Sequence, residues 1–370
     1  MSRAAPCCAI VGGGLAGFTA YATLRHGGLR PEEIVVYSTD EDPAVAWRQR
    51  AHSIRQQRMR SESDGHCAPT SFPGLAVAEA LRRRSPRPLL ASAFDRYRPS
   101  VDEFLAHVER LREQCGWGWS LRRRRIRRVS TAPDGFELDG EGPYRHVLLA
   151  PGHPGLNVPP ELERDPRMVH AYEPHDYGRT VTVVGAGMAA ATEWLNALAA
   201  GAEVVSVRRR EPERRPLNVP RPLFSRRGLA AYHRLDETER VLFLRRLLVP
   251  SYPPGRAWDE PLERAGQEGR FRVASAVNGG EQVICATGFR RGFSADPLLA
   301  ALVDDHRLAT VNGWIVLGSD STVPDLTDAR RTLSLAGAPA QWAYPAADTL
   351  VGAKYAARRF LRRIQACRTR

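Results

Sequence analysis

The sequence predicts an α/β protein made of two domains of the same kind, one inserted into the other. Two observations predict this fold. A short apolar strand, a glycine loop, a helix and a second strand follow one another near the N-terminus, and the same order restarts near residue 180. An apolar segment suited to complete the first domain comes only after the second set, at 332–336. Strands that alternate with helices in this way are typical of parallel sheets covered by helices.

The first domain opens with a complete strand–helix–strand unit. Residues 15–25 carry apolar side chains at helical spacing, and Gly27 and Gly28 are suited to end that helix. Residues 40–99 lack periodicity and are too many for a plain connection, so we predict an excursion towards the active site. The predicted elements are a strand at 9–11, a helix at 15–25, a strand at 34–37, a helix at 100–114 and a strand at 146–150.

The second unit defines the inserted domain. Its predicted elements are strands at 180–184, 203–207 and 283–286 and helices at 188–200 and about 236–248. The chain then closes the first domain with strands at 314–317 and 332–336 and a helix at about 346–366. We therefore predict one discontinuous domain formed by 1–155 and 289–370, and a domain at 175–285 inserted into it. Two hinges, near 152–178 and 279–290, would join them.

Composition excludes several classes of protein. The 370 residues are 43% hydrophobic, but no run approaches the ~18 apolar residues that span a bilayer. The N-terminus has no apolar leader with a cleavage site, so we expect a cytoplasmic protein. The net charge is +13, yet the arginine runs come without a nucleic-acid recognition motif, which disfavours nucleic-acid binding. The six cysteines form no C-x-x-C pair, which argues against a dithiol relay.

The first glycine loop is predicted to bind a dinucleotide. Gly12, Gly14 and Gly17 have the G-x-G-x-x-G spacing directly after a strand and at the start of a helix. The first glycine makes the tight turn, the second lets the backbone approach a pyrophosphate, and the third lets the helix pack on the strand. Ser38 stands where an acidic residue usually binds the ribose, so it, or Asp40 beside it, is the candidate for that contact.

The second loop repeats the design. Gly185, Gly187 and Ala190 have the same spacing in the second unit, and Arg208 and Arg209 follow its second strand. Arginines at that position suit a 2′-phosphate, because a guanidinium pairs with phosphate through two hydrogen bonds, so we predict NADPH in preference to NADH. Two dinucleotide folds in one chain favour a flavin together with a nicotinamide, and hence FAD at the first loop.

Several further segments have the residues of known motifs. Met168–Tyr172 and the run from Gly178 to Gly185 are similar to the linker before an NADPH loop. With these segments the chain resembles the group B flavoprotein monooxygenases and their flavin-containing and N-hydroxylating relatives. The other matching segments are Trp47-Arg48, Met59-Arg60-Ser61, Ala150-Pro151-Gly152-His153, Ala286-Thr287-Gly288, Leu335-Ala336-Gly337-Ala338 and Ala347-Asp348-Thr349-Leu350.

The resemblance implies a fold, two cofactors and a reaction. It implies two Rossmann-like domains, the NAD(P)H domain inserted into the FAD domain. It further implies that NADPH reduces FAD and that molecular oxygen then gives a flavin C4a-(hydro)peroxide. That species would oxygenate a small molecule, for which an amine nitrogen is one candidate. The implied FAD contacts beyond the glycine loop are Trp47, Arg48, Met59, Arg60, Gly337 and Asp348.

Other side chains have two interpretations each. His66 is a candidate for the substrate pocket or a surface histidine, and Trp342 and Tyr344 are pocket or core residues. Asp348 is also placed to cap the last helix. No histidine, cysteine or acidic residues show the spacing of metal ligands. Two alternative functions stay open: an NAD(P)H-dependent flavoprotein reductase or electron-transfer enzyme without oxygen transfer, and a non-enzymatic flavin-binding sensor.

Overall fold

The computed structural model describes residues 6–60, 74–94, 96–216, 223 and 225–368. His66, Cys67 and Ser61 lie outside them. The strands are β1 (Cys8–Val11), β2 (Ile34–Ser38), β3 (Leu121–Arg123), β4 (Val129–Ala132), β5 (Gly135–Leu138), β6 (Glu141–Tyr144), β7 (His146–Leu149), β8 (Met168–His170), β9 (Thr180–Val184), β10 (Glu203–Val207), β11 (Glu213–Arg214), β12 (Ser251–Tyr252), β13 (Phe271–Ala274), β14 (Gln282–Cys285), β15 (Thr310–Val311), β16 (Trp314–Ile315) and β17 (Thr332–Leu335).

Helices lie between most of these strands. They are α1 (Leu15–His26), α2 (Val45–Ser53), α3 (Gly74–Arg83), α4 (Arg87–Ala93), α5 (Val101–Cys115), α6 (Trp117–Ser120), α7 (Met188–Ala199), α8 (Arg226–Arg234), α9 (Glu237–Leu247), α10 (Arg256–Gln267), α11 (Pro297–His306) and α12 (Leu350–Arg368). Among the described residues, no helix is both long and apolar enough to cross a membrane.

Two parallel sheets form the scaffold, and they have the same layout. The first has the order β17-β7-β1-β2-β3 and the second the order β13-β10-β9-β14-β8. In each sheet the strand before the glycine loop is central. Strand β1 lies between β2 and β7, and strand β9 lies between β10 and β14. Crossovers therefore leave the central strand in both directions, which opens a crevice at its carboxyl end. The predicted α/β fold with two Rossmann-like sheets is confirmed.

The two faces of the first sheet are buried in different cores. Cys8 and Ile10 point to one face and pack with helices α1, α5 and α12, while Ala9 and Val11 point to the other. The second face is covered by the antiparallel meander β4-β5-β6 and by helix α11. Burial on both faces explains why β1 is an unbroken apolar run rather than an alternating one.

Helices α8 and α9 pack where the sequence did not place them. They fall within 175–285, the range predicted for the inserted domain, but their buried residues Tyr232, Val241 and Leu244 belong to the core beneath the first sheet. The Tyr232 hydroxyl donates to the backbone oxygens of Gln341 and Trp342, at 3.2 and 3.1 Å. The range 175–285 is therefore not one packing unit, since apolar burial outweighs closeness in sequence.

The predicted hinges also contain regular structure. Met168–His170, expected to be linker, is the edge strand β8, and it pairs with β14 from the other hinge. Nearer the first sheet, Asn157 N donates to the Gly288 oxygen and Arg290 N donates to the Gly155 oxygen, both at 2.9 Å. The two chain crossings are thus hydrogen-bonded to each other. The exact domain bounds otherwise stay a prediction.

Replacement of Gly17 tests the contact between helix α1 and the turn after β1. A Cβ atom on Gly17 would collide with the Gly12 carbonyl oxygen, so we expect Gly17→Ala to lower the free energy of unfolding by about 1–3 kcal/mol. Gly266 lies inside helix α10 with no atom near the same position. Gly266→Ala is the matched control, expected to raise stability by about 0.4–1 kcal/mol. Denaturant unfolding of both variants measures this, and equal effects would contradict the proposed contact.

Candidate functional site

The two glycine loops are built by the same hydrogen bonds. Gly12 N donates to the Tyr37 oxygen at 2.9 Å, and Gly185 N donates to the Val207 oxygen at 3.0 Å. On the other side of each central strand, the N–H of the first residue after the neighbouring strand donates to the carbonyl oxygen of the last residue of the central strand. The distances are 2.7 Å from Ala150 N to Val11 O and 2.8 Å from Ala286 N to Val184 O. The sequence repeat is therefore also a repeat of backbone geometry.

The first glycine of each loop is held against a neighbouring strand end. Gly12 has a φ of +103° and Gly185 a φ of +140°, a region that favours glycine. A Cβ on Gly12 would collide with the Ala150 carbonyl oxygen, and one on Gly185 would lie 2.5 Å from the Ala286 oxygen. Both residues are therefore required by the backbone of the turn, independently of any ligand.

The second glycine of each loop faces open space instead. Gly14 is the N-cap of helix α1, and a Cβ there would have no atom within 4 Å. Gly187 is the N-cap of α7, and the nearest atom to its Cβ position is the Pro250 Cα at 4.0 Å. Neither helix has a capping side chain or an acidic residue in its first turn. Each helix start therefore presents free N–H donors and a partial positive charge, the arrangement that binds phosphate.

Ser38 and Arg208 occupy equivalent places in the two units. Each directly follows the residue whose oxygen accepts from the first glycine of its loop. The Ser38 hydroxyl accepts from Asp40 N at 3.1 Å, and it lies so close to the first loop that a Cβ on Gly13 would collide with it. Ser38 is therefore next to the crevice and Asp40 is exposed, while the ribose contact stays a prediction.

The two arginines predicted to bind phosphate differ in how exposed their side chains are. Arg208 pairs with Glu211 at 2.8 Å, packs over the Trp194 ring and exposes only 12% of its side chain. Arg209 exposes 85% of its side chain and pairs with Glu161 at 2.8 Å. Among the pair, Arg209 is the better placed to exchange a surface partner for a phosphate, because a solvated ion pair contributes little.

The other predicted flavin contacts separate into two groups. Trp47 packs edge-on against Phe104 with ring centres 5.1 Å apart, and Arg48 pairs with Asp42 at 2.8 Å. Met59 is buried beside the same core. Arg60 instead reaches the second sheet, where its guanidinium donates to the Thr192 hydroxyl of helix α7 at 2.8 Å. Arg60 therefore joins the first unit to the helix that begins at the second loop.

The end of β17 brings Gly337 and Asp348 towards the first crevice. Gly337 has a φ of +74°, and a Cβ there would lie 3.4 Å from the Ala16 Cβ in α1. Asp348 lines a pocket of about 350 Å³ together with Gly152, His153 and Ala338. Surrounding protein raises the pKa of its carboxyl, and the charge of Arg291 opposes that rise. The last helix is capped by Thr349, whose hydroxyl accepts from Gly352 N, so the prediction that Asp348 caps it is wrong.

Trp342 and Tyr344 do not reach this pocket. Their exposed fractions are 1% and 3%, and both lie in the core beneath the first sheet. Tyr344 stacks on Tyr355 with ring centres 4.3 Å apart. The geometry gives the core interpretation of both residues, while a role for His66, outside the described residues, stays a prediction.

The structure adds an aromatic stack that the sequence analysis missed. His153 and Phe289, on opposite chain crossings, stack with ring centres 4.3 Å apart and an interplanar angle of 12°. Tyr172 also stacks with Phe289, at 4.9 Å and 10°, and the Arg50 guanidinium lies 4.8 Å from the Phe289 ring centre. Burial lowers the pKa of His153 to about 4, so this ring is neutral near pH 7.

A buried acid at the second unit was missed as well. Glu193 in α7 is fully buried and accepts from the Tyr177 hydroxyl at 2.8 Å. Its carboxylate also lies 3.0 Å from His175 Nε2, while His175 Nδ1 lies 2.7 Å from the Glu173 carbonyl oxygen. Burial opposes a charged His175, but the Glu193 contact outweighs it and raises the pKa. A glutamate one helical turn into α7 has no distinctive sequence signal.

Comparisons with known proteins bear on the fold. No protein-family model matches the chain, and no curated protein matches its sequence. Among solved structures, ornithine hydroxylase from Pseudomonas aeruginosa matches with a TM-score of 0.70 at 15% identity, over 98% of this chain and 100% of that one. Bacillithiol disulfide reductase from Bacillus cereus matches with a TM-score of 0.58 at 14% identity, over 97% and 100%.

A third solved structure is named with its ligands. The OTEMO complex with FAD and NADP matches with a TM-score of 0.52 at 13% identity, over 99% of this chain and 85% of that one. The neighbours are hydroxylase and reductase structures that this chain resembles over nearly its whole length. The resemblance to flavoproteins with two dinucleotide-binding domains is therefore confirmed for the fold.

Substitution of Gly14 separates a ligand role from a folding role. Serine is a preferred N-cap, so Gly14→Ser should keep or slightly raise the free energy of unfolding. Its hydroxyl would occupy a donor N–H at the start of α1, and we expect at least about tenfold weaker binding of FAD. Flavin titration and denaturant unfolding measure the two effects, with Gly266→Ser as the control. FAD binding unchanged by Gly14→Ser would exclude phosphate contact at this helix.

The pair of His175 and Glu193 predicts a pH-dependent stability. A histidine pKa raised by folding stabilises the protein below the ordinary value near 6.5, and this stabilisation is lost as pH rises through the raised value. We expect Glu193→Gln to lower the free energy of unfolding by about 1.5–3 kcal/mol at about pH 6 and by less at about pH 8.5. The exposed Glu203→Gln serves as control. A loss of equal size at both pH values would contradict the assignment.

Proposed function

We propose that this protein is an FAD- and NADPH-dependent monooxygenase that oxygenates a small molecule. One observation carries the proposal: two helix starts without capping side chains lie at the carboxyl ends of two central strands, in crevices with matching backbone geometry. A single such crevice binds one dinucleotide, and two in one chain suit a flavin and the nicotinamide that reduces it.

The residues of the first crevice fit FAD. Open space at Gly14 leaves room for a pyrophosphate against the start of α1, and Ser38 lies beside the loop for the ribose. Gly337 brings the end of β17 next to α1, and Asp348 lies at the adjacent pocket. In this arrangement Gly12 and Gly17 shape the turn rather than touch the ligand.

The second crevice fits NADPH. Gly187 leaves the start of α7 open, and Arg208 and Arg209 follow strand β10 where the adenosine ribose of a bound dinucleotide lies. Arg60 and Asn196 tie α7 to the first unit, since Asn196 Nδ2 donates to the Ile54 oxygen at 2.9 Å. These contacts hold helix α7 against the first unit, and transfer between two cofactors would require such a fixed arrangement.

The overall reaction balances with four reactants. The substrate, NADPH, a proton and O₂ give the oxygenated substrate, NADP⁺ and water. When bound, flavin would supply the chemistry with molecular oxygen. The chain would position the cofactors and the substrate and exclude water. Within the described residues no group of three His, Cys, Asp or Glu side chains gathers as a metal site. The ornithine hydroxylase neighbour supports an amine nitrogen as one acceptor of oxygen.

A flavoprotein reductase is the second candidate. It is favoured by the bacillithiol disulfide reductase neighbour, which matches over its whole length. The two functions differ in the fate of oxygen, because a reductase passes electrons to an acceptor without inserting an oxygen atom. A flavin-binding sensor would bind flavin but would not oxidise NADPH at a useful rate.

The oxygen balance tests the proposal. Purified protein supplied with FAD should be yellow and should oxidise NADPH. With a panel of primary amines, we expect at least one to raise NADPH consumption while the yield of hydrogen peroxide per NADPH falls, since oxygen enters the product. Mass spectrometry with ¹⁸O₂ would locate the atom. Reduction of disulfides without oxygen uptake would favour the reductase, and a colourless protein would exclude both.

Arg209 tests the choice of nicotinamide. A guanidinium that holds the 2′-phosphate contributes about 1.4 kcal/mol or more, which corresponds to about tenfold in affinity. We expect Arg209→Gln to raise KM for NADPH about tenfold and to leave KM for NADH within about twofold. Arg256→Gln, a surface arginine paired with Glu260 in α10, is the matched control. Equal increases for NADPH and NADH would contradict a phosphate contact.

A further inference from the structure

The pocket beside Asp348 extends well beyond the first crevice. Its near wall is formed by Gly152 and Ala338, which follow strands β7 and β17 of the first sheet, and by Asp348, just before helix α12. Its far wall comes from helix α9, from the segment 290–299 and from the β15–β16 hairpin. The near wall suits the cofactor of the proposed function, so the far wall is available for the molecule on which it acts.

The far wall is apolar at its base. Leu248, Phe293, Leu299, Trp314 and Ile315 line it, and Leu299 and Ile315 are each 2% exposed. Leu299 and Ile315 belong to the core beneath the first sheet, and Phe293 and Trp314 pack against that core. A hydrocarbon chain placed there would lose contact with water, which is the main source of affinity in such pockets.

The pocket is lined by more arginine than acidic side chains. Arg245 donates to the Asn312 side chain at 3.1 Å, and Asp296 accepts from the first amides of helix α11. Arg291 has the charge of Asp348 nearby. The exposed Arg290 guanidinium has no hydrogen bond or ion pair within the described part of the chain, and only its backbone amide is bonded, to Gly155. His153 adds no charge near pH 7 because burial lowers its pKa to about 4.

We propose that the pocket takes a carboxylate-bearing substrate with an apolar chain, the carboxylate held by Arg290 and Arg291 and the chain lying against Phe293, Leu248 and Trp314. A guanidinium matches a carboxylate through two parallel hydrogen bonds, and the exposed Arg290 guanidinium has no partner among the described residues to give up for them. As a statement about substrate, this inference rests on the proposed function.

Calorimetric titration of the FAD-loaded protein tests the pocket with three probes of equal chain length. The probes are hexanoate, hexan-1-ol and hexylamine. We expect hexanoate to bind at least about tenfold more tightly than either other probe. The double substitution of Arg290→Gln with Arg291→Gln should weaken hexanoate at least about tenfold and leave hexan-1-ol little changed. Arg256→Gln should retain hexanoate binding.

Failure of the carboxylate site can be distinguished from failure of the proposed function. Hexylamine binding as tightly as hexanoate, no hexanoate binding, or a double variant that retains it would each overturn the carboxylate site. Flavin content and NADPH oxidation of the same preparation report on the proposed function. A protein that binds hexanoate in the arginine-dependent way but does not retain flavin would keep the site and overturn the monooxygenase proposal. Circular dichroism of the double variant verifies that it is folded.

Discussion

Both crevices depend on a backbone contact that leaves no room for a side chain. Gly12 lies against the carbonyl of Ala150, and Gly185 lies against that of Ala286. Each carbonyl ends a strand that neighbours the central strand, so the contact fixes the turn relative to the sheet. The helix start then follows at one orientation, and its free N–H groups point into the crevice. Phosphate binding in the proposed function is thus a consequence of close packing within the chain.

The repeated unit could be predicted because its signals are local. A strand buried on both faces, three small residues at fixed spacing and a helix that starts at once are required by the same few contacts. Ser38 and Arg208 could be singled out as candidates because their positions are counted from those contacts, and their ligand roles stay predictions. The crevices therefore follow from short stretches of sequence, although the ligands in them do not.

What could not be predicted depends on contacts between distant segments. Tyr232 in α8 bonds to backbone oxygens more than 100 residues later, and no periodicity within 211–260 indicates that partner. Met168–His170 is a strand only because β14 offers an edge, and three residues carry little pattern of their own. Trp342 and Tyr344 follow Gly337, a predicted flavin contact, in sequence, but both side chains are buried in the core beneath the first sheet. Thr349 rather than Asp348 caps α12 because its hydroxyl reaches the amide three residues ahead.

The stack of His153, Phe289 and Tyr172 has a mechanical consequence. The rings of the two crossings lie face to face, and the backbones of those crossings share hydrogen bonds, so neither segment bends alone. Any rotation of the second sheet against the first must therefore carry both segments together. Sliding or splaying would part aromatic faces, at about 0.5–1.5 kcal/mol for each pair. For the two cofactors of the proposed function, a fixed junction of this kind would limit how far their separation can vary.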